Sequence, residues 1–460
     1  MVSCTKSTQH VDLIIQDITV VDVKDIKVID HQYIIIDDGI IVGIESSSDG
    51  FEANELINGT GKFLIPGLWD MHAHYSNVKG YEYFNSLFIA NGVLGVRDLW
   101  GNLAVRDSLE SINYLMPRNY TSGAIIDGPF TLLQGTLQPN SPEDATQLVD
   151  SLYHAGADFV KVYDDLSPEI YNAIAKTCKE LDFPFVGHVP MAVSAEEASE
   201  LGQKSIEHLN GIWRSSTSKR EEIDSLQKQF KANFLSNNLP EAVSNFTTIN
   251  SFYNEYYDEY EATKLANTLH QNSTYVTPTL VIIDRQWKRK GGTFLEQEEN
   301  QYIPESLLAQ WDPELNFPEK MFPPITWEAG KQLLATSQTI TGILNENKVK
   351  LLAGSDCGVS YVVPGFSLHE ELQLLVKAGL SNGEALQTAT LNPVEFFGLT
   401  DSLGTIAKNK YADLVILDKN PLEDISNTTS INAILQSGTF YNRSELDSLL
   451  SEATNRAKGK

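Results

Sequence analysis

At 460 residues the chain exceeds an ordinary single domain, and 42% hydrophobic residues suffice for a barrel-sized core with a smaller unit beside it. A net charge of −27 excludes a nucleic-acid binder, which needs a basic face, and no apolar run reaches the eighteen residues of a membrane span. Three cysteines, Cys4, Cys178 and Cys357, supply no disulfide framework.

The opening Met1-Val2-Ser3-Cys4 resembles the end of a bacterial lipoprotein signal, with a small residue before a cysteine that would carry lipid. It reads either as a cell-envelope lipoprotein anchored only through Cys4, or as a chance pair in a cytoplasmic protein. From His10 to about Asn58, Val/Ile-rich segments separated by Asp, Gly and Ser predict strands at Val11–Ile15, Ile18–Val23, Tyr33–Ile36 and Ile40–Ile44. Phe63 to His74 is another apolar run, and it ends in His72-Ala73-His74. Alternate strand residues share a face, so both imidazoles can reach one metal ion.

The middle of the chain alternates strand and helix. Ser141-Pro142-Glu143-Asp144 opens a helix with a cap, an N1 proline and acidic residues in the first turn. Strand Asp158–Tyr163, a helix opened by Ser167-Pro168, strand Pro184–Val189, helix Ser194–Leu201 and strand Ser205–Leu209 follow. Such units imply a parallel sheet, and the length admits eight of them closed into a barrel. From Ile212 to about Ala335 the pattern weakens, with polar helical stretches at Ser216–Phe230 and Tyr256–Leu269 and a strand at Tyr275–Val281. This excess reads as an insertion, either a lid over the barrel mouth or a solvated helical appendage. Strand Val349–Ala353, helix Leu368–Ala378 and the capping box of Ser381 and Glu384 come next. Ala412–Leu417 and Ile431–Gln436 then resemble the N-terminal strands, which suggests that both ends build one β unit.

Four of the nine histidines fall at predicted strand ends: His72, His74, His188 and His208. Asp356 stands at the same position after a later strand, and Lys161 sits inside the apolar Phe159–Tyr163. Parallel barrels gather their C-terminal strand ends at one mouth, so these six groups form a spatial cluster although each alone has an ordinary structural explanation. A lysine among histidines is repelled by cations, and desolvation lowers its pKa. Reaction of the freed amine with carbon dioxide gives an anionic carbamate that suits such a site.

Pro66-Gly67-Leu68-Trp69-Asp70-Met71-His72-Ala73-His74, with Lys161, His188, His208, Asp356 and the closing Gly404-Thr405-Ile406…Ala412-Asp413-Leu414-Val415, resembles the metal-dependent amidohydrolase superfamily. Within it the chain is most similar to the imidazolonepropionase-like and prolidase-like dipeptidase group. The resemblance implies an α/β fold, a (β/α)8 TIM-type barrel over residues 63–399, with a small β-sandwich from residues 10–62 and 400–446 and the insertion within about 212–335. It implies two divalent ions, usually zinc: His72, His74 and Asp356 on one, His188 and His208 on the other, with carbamylated Lys161 bridging. A shared hydroxide would attack, and Asp356 would carry its proton to the leaving nitrogen. The substrate would be a small amide such as a dipeptide or N-acyl amino acid, with Tyr75, Tyr163 and His369 as candidate contacts. Arg97 is read as a structural ion pair with Asp98 or another carboxylate. Gln134-Gly135-Thr136 stands where related enzymes sometimes carry histidine, which departs from a standard dipeptidase. The alternatives are a mononuclear cyclic-amide hydrolase or deaminase, and a non-catalytic ligand-binding lipoprotein. Assembly of copies of the chain is left open.

Overall fold

In the computed structural model, residues 8–76, 80, 82–131, 133–312, 319–359 and 361–459 are described; Cys4 lies outside them. The N-terminal segment forms β1 (Gln9–Asp22), β2 (Lys27–Asp37), β3 (Ile40–Glu45), β4 (Phe51–Asn58) and β5 (Phe63–Pro66). Two expected strands, Val11–Ile15 and Ile18–Val23, are one. Asp17, at φ 56°, makes a bulge between Ile15 and Ile18, and the long strand bends there without ending.

The next strands are β6 (Leu68–Ala73), β7 (Val93–Asp98) and β8 (Arg118–Thr121), which pair parallel in the order β6-β7-β8. They are followed by β9 (Ile125–Ile126), β10 (Val160–Val162), β11 (Phe185–Gly187), β12 (Ser205–Glu207) and β13 (Tyr275–Thr277), parallel in the order β13-β12-β11-β10-β9. Finally β14 (Leu414–Leu417), β15 (Ile431–Gln436) and β16 (Thr439–Asn442) join the first five strands in one sheet, ordered β16-β15-β14-β5-β1-β2-β3 with β4 on β1. Both chain ends therefore share a sheet, and Leu13, Ile15, Ile18, Leu64, Leu414 and Ile416 form its own apolar cluster.

The segment 350–357 connects the two parallel sheets. The Met71 N–H donates to Ala353 O (2.8 Å) and Asp356 N–H to His72 O (2.7 Å) on one side. On the other side, the Val276 N–H donates to Lys350 O (3.0 Å) and the Leu352 N–H to Val276 O (2.9 Å). The expected strand Val349–Ala353 is thus present as bridges to β6 and β13, without a regular ladder of its own. At the far edges the Asp158 N–H donates to Thr121 O at 2.9 Å.

Helices flank these strands where their caps predict. Ser141, Ser167 and Ser194 each accept from the N3 backbone, and the Ser381–Glu384 capping box is closed in both directions. In the 212–335 stretch the expected helices shift to Arg220–Leu235 and Glu259–Gln271. The strand read over Tyr275–Val281 stops at Thr277, because Pro278 donates nothing to a ladder and Thr279 turns to φ 46° before the helix Leu280–Lys288.

Gly354 shows how closely the connecting segment approaches β6. A Cβ there would lie 2.6 Å from Thr277 Cγ2 and 2.7 Å from His72 Cβ. Gly354→Ala should therefore destabilise the fold by roughly 1–3 kcal/mol in urea melts, since the neighbours are packed backbone-near atoms. An unchanged midpoint would contradict this packing.

Candidate metal centre

The strand ends place the chemistry. In β10, Val160 and Val162 join the main core, whereas Phe159 belongs to an inner cluster with Trp69, Met71, Val186 and Leu352. Alternation puts Lys161 on the inner side as well, where it is wholly buried and Nζ has no hydrogen-bond partner among the described residues. Gly187, at φ 135°, lets β11 pass so close that a Cβ would meet Val162 O at 2.2 Å. His208 and Asp356 turn out of their segments at φ 58° and 59°, a costly backbone for non-glycine residues and one that aims both side chains inward.

The His72 and His74 Nε2 atoms are 3.2 Å apart, and Asp356 Oδ1 lies 3.1 Å from His74 Nε2 and 3.5 Å from His72 Nε2. Donor atoms of these three residues all fall within 4.8 Å of one another. The His208 ring centroid is 4.2 Å from that of His72 and 5.0 Å from that of His188. Five of the expected groups thus come from strand ends to one place, and Lys161 is near enough for its charge to act on His72 and His208.

Three of the four rings are held by their other nitrogen, while His74 Nδ1 is buried without a hydrogen-bond partner among the described residues. His72 Nδ1 donates to Glu207 Oε2 (2.9 Å), His188 Nδ1 to Asp164 Oδ1 (2.8 Å) and His208 Nδ1 to Thr279 Oγ1 (2.6 Å), whose hydroxyl donates on to Pro278 O. This leaves the Nε2 lone pairs free for a cation, as in metal sites whose histidines are oriented by a second layer. Burial, reinforced by the charges of neighbouring His208 and Lys161, holds His72 well below its ordinary pKa; burial, with His188 and Lys161, does the same to His208. Neutral imidazoles are ligands and imidazolium ions are not. Burial also lowers the Lys161 amine to about 8, against the raising effect of Glu207 and Asp356. The orphaned Lys161 Nζ and His188 Nε2 and the three convergent donors fit divalent ions in this cluster.

Other expectations fare differently. Tyr75 is core: its ring packs on Phe88, and its hydroxyl accepts from Asn119 Nδ2 at 2.8 Å. His369 is buried with Nδ1 on Thr428 Oγ1 and Nε2 on Asn91 O, so neither nitrogen is available to a substrate. Tyr75 and His369 are therefore core residues and not the substrate contacts expected of them. Tyr163 stacks on the His188 ring with centroids 4.0 Å apart and stands beside the cluster. Cys357 is buried and its thiol is pushed well above the ordinary range, which suits packing and not nucleophilic attack.

Glu207 and Asp164 were not singled out in the sequence, although each stands next to a residue that was. Glu207 joins His72 to Arg97, whose Nη2 donates to both carboxylate oxygens at 2.8 and 2.9 Å. Arg97 therefore pairs with Glu207 and not with Asp98, which accepts from the Ser76 hydroxyl. Glu371 supports the site from further out, accepting from the Val281 N–H (2.8 Å) at the start of the helix behind Thr279, and burial pushes its carboxyl up to about 8.

Glu207→Gln should lower stability, since it leaves the buried Arg97 without its carboxylate, and in the folded protein cut metal affinity about 10–100-fold in chelator competition, because the weaker acceptor no longer fixes the His72 tautomer. Equal affinity would remove Glu207 from the site. Glu371 has a raised folded pKa, so the unfolded chain ionises first as pH rises above the ordinary value of 4.5, and stability falls until the folded carboxyl also ionises near pH 8. The stability gain of Glu371→Gln over the wild type should accordingly grow from pH 5 to 8 and level off above. A gain independent of pH would refute it.

The model of the amidohydrolase family matches residues 165–440. An adenine deaminase of Ligilactobacillus salivarius is 33% identical over 93 residues, which is 20% of this chain and 16% of that protein. Among solved structures, a bottromycin amidohydrolase superposes with a TM-score of 0.73 at 23% identity, covering 96% of this chain and 90% of its own. A Xaa-Pro dipeptidase with methionine in its active site gives 0.67 at 18% identity (94% and 99% covered), and a prolidase-like protein from Bifidobacterium longum 0.65 at 20% (96% and 98%). The chain belongs to the amidohydrolase family.

Proposed function

We propose that this protein is a metal-dependent hydrolase of carbon–nitrogen bonds, acting on an amide of a small substrate such as a dipeptide or N-acyl amino acid. The observation that carries the reading is the convergence of His72, His74, His188, His208 and Asp356 around a buried, unpartnered Lys161 amine. With β8 and β9 counted as one interrupted strand and the bridging segment 350–357 as another, the two parallel sheets would supply the eight strands of a (β/α)8 barrel over residues 63–399. Residues 10–62 and 400–446 would be its companion β unit.

In this reading His72, His74 and Asp356 would hold one divalent ion, zinc by family precedent, and His188 and His208 a second, with a carbamate on Lys161 as a further ligand. Such ions lower the pKa of water, polarise a carbonyl and stabilise the charge that develops on its oxygen. The protein's own groups do the rest. Asp356 turns Oδ1 toward the His72 and His74 nitrogens, which leaves Oδ2 to take a proton from the attacking water and return it to the leaving nitrogen. Glu207, Asp164 and Thr279 keep the rings fixed, so no reorganisation is needed during turnover. Tyr163 covers one face of His188 and limits water on that side.

A second reading, a heterocycle deaminase, draws on the local similarity to an adenine deaminase. It needs one ion and no carbamate. Lys161→Ala separates the two: under the first reading it loses bound metal and amide hydrolysis, and short carboxylic acids restore part of both. Retained activity without metal loss would favour the deaminase, and absence of any rescue would count against the bridge. Asp356→Asn should fold and lose at least about 100-fold in kcat, as expected for removal of a proton carrier.

A further inference from the structure

A cavity of about 450 Å³ opens beside the cluster, on the far side of the Tyr163 ring that stacks on His188. Asp164, which holds His188 Nδ1, and Asn210, two residues after His208, belong to its wall. The opposite wall comes from the helices Arg220–Leu235 and Leu239–Glu255, the part of the 212–335 stretch that packs as a hairpin. Its rings are Phe130, Tyr163, Trp213, Phe230, Phe246 and Tyr253.

Among this apolar lining Asp127 stands out. It is fully buried, its Oδ1 accepts from the Gly128 and Asp165 N–H groups (2.8 and 2.9 Å), and Oδ2 has no hydrogen-bond partner among the described residues. Burial pushes its carboxyl above the ordinary value, against the lowering effect of the Asp165 N–H, the Thr131 hydroxyl and the Gly128 N–H. A buried carboxylate oxygen without a donor is costly and is retained where a ligand supplies the donor.

The charges around the cavity settle which kind of donor. Arg214 is committed to Met191 O, Val193 O and Asp224. Lys231 is paired with Asp165 and lies 5.6 Å from the centre of the Phe130 ring. Asp164 is shared between His188 and Asn210. Arg214 and Lys231 thus already have anions, and among the described lining residues Asp127 is the carboxylate left without a cationic partner. Aromatic faces around an uncompensated carboxylate attract an ammonium or guanidinium, and the Lys231–Phe130 contact shows one such pairing at the rim.

We propose that this cavity is the specificity pocket of the enzyme and takes a substrate side chain with an apolar stem ending in a cation, the positive end donating to Asp127 Oδ2. The proposal rests on the amidohydrolase reading for the bond that is cleaved, but not for the binding. Asp127 acts as a specificity residue and the α-helical hairpin as the wall that desolvates the stem. The insertion then has a task, which is to close a pocket that the strand ends alone leave open.

Zinc-reconstituted enzyme is assayed on Xaa-Gly and Gly-Xaa dipeptides with Xaa lysine, arginine, norleucine or phenylalanine. At one of the two positions kcat/KM for lysine and arginine should exceed norleucine by about tenfold or more, a ratio in keeping with a desolvated cation–aromatic and charge contact. Asp127→Asn, which keeps an oxygen for the Gly128 and Asp165 N–H groups, should bring that ratio close to one. Phe230→Leu, on the surface of the hairpin, should lower it in the same direction. Norleucine or phenylalanine equal to or better than lysine and arginine, or an unchanged ratio in Asp127→Asn, overturns the proposal. Calorimetric titration with L-lysine, L-arginine and L-norleucine decides the pocket independently. If no dipeptide is cleaved, the dipeptidase form of the hydrolase reading fails, and the pocket still stands on tighter lysine and arginine binding or falls on equal binding.

Discussion

Arg97 carries the constraint on which the cluster depends. It is wholly buried on β7, and its guanidinium is divided among three other strands: Nε donates to Met71 O on β6, Nη1 to Ser205 Oγ on β12, and Nη2 to Glu207 on β12 and Thr277 Oγ1 on β13. Phe396 lies under it at 4.9 Å. A buried guanidinium is tolerable only with its donors satisfied, and these partners lie up to 180 residues away in sequence. The strand ends can therefore close around it in one register only. Glu207, fixed by that ion pair, then presents its Oε2 to His72 Nδ1 and sets the imidazole that anchors the donor triad. The same carboxylate and Asp356 raise the tendency of Lys161 to hold its proton, while burial outweighs both.

Desolvation thus keeps the His72 and His208 rings neutral, inside a chain of strongly negative overall charge. That combination is suited to cations. Acidic residues of the second layer supply compensation that the rings themselves do not, and the left-handed turns at His208, Thr279 and Asp356 are the backbone's share of the cost. On the open side, the Tyr163 ring separates this donor cluster from the aromatic cavity under the helical hairpin.

Much of this was legible in the sequence because it is local. His72-Ala73-His74, the Lys161 in an apolar strand and the serine caps at Ser141, Ser167 and Ser194 each depend on a few adjacent residues, and helix and strand periods fix their directions. What escaped is long-range pairing. Nothing near Arg97 points to Glu207, 110 positions on, and the adjacent Asp98 was the more obvious partner. His369 and Tyr75 were attractive as polar aromatic residues near the motifs, yet tertiary packing turned both into the core, where Thr428, Asn91 and Asn119 satisfy them. Pro278 alone could have warned that the strand from Tyr275 would end early. Asp127 carries no sequence signal, because its meaning lies in an oxygen left unpaired in three dimensions.

Metal content and position, measured together on protein reconstituted with zinc in bicarbonate buffer, test the central claim most directly. Elemental analysis should give close to two ions per chain, and anomalous diffraction should put one against His72, His74 and Asp356 and the other against His188 and His208. Ions bound elsewhere, or a chain that holds none while these side chains keep their present arrangement, would contradict it.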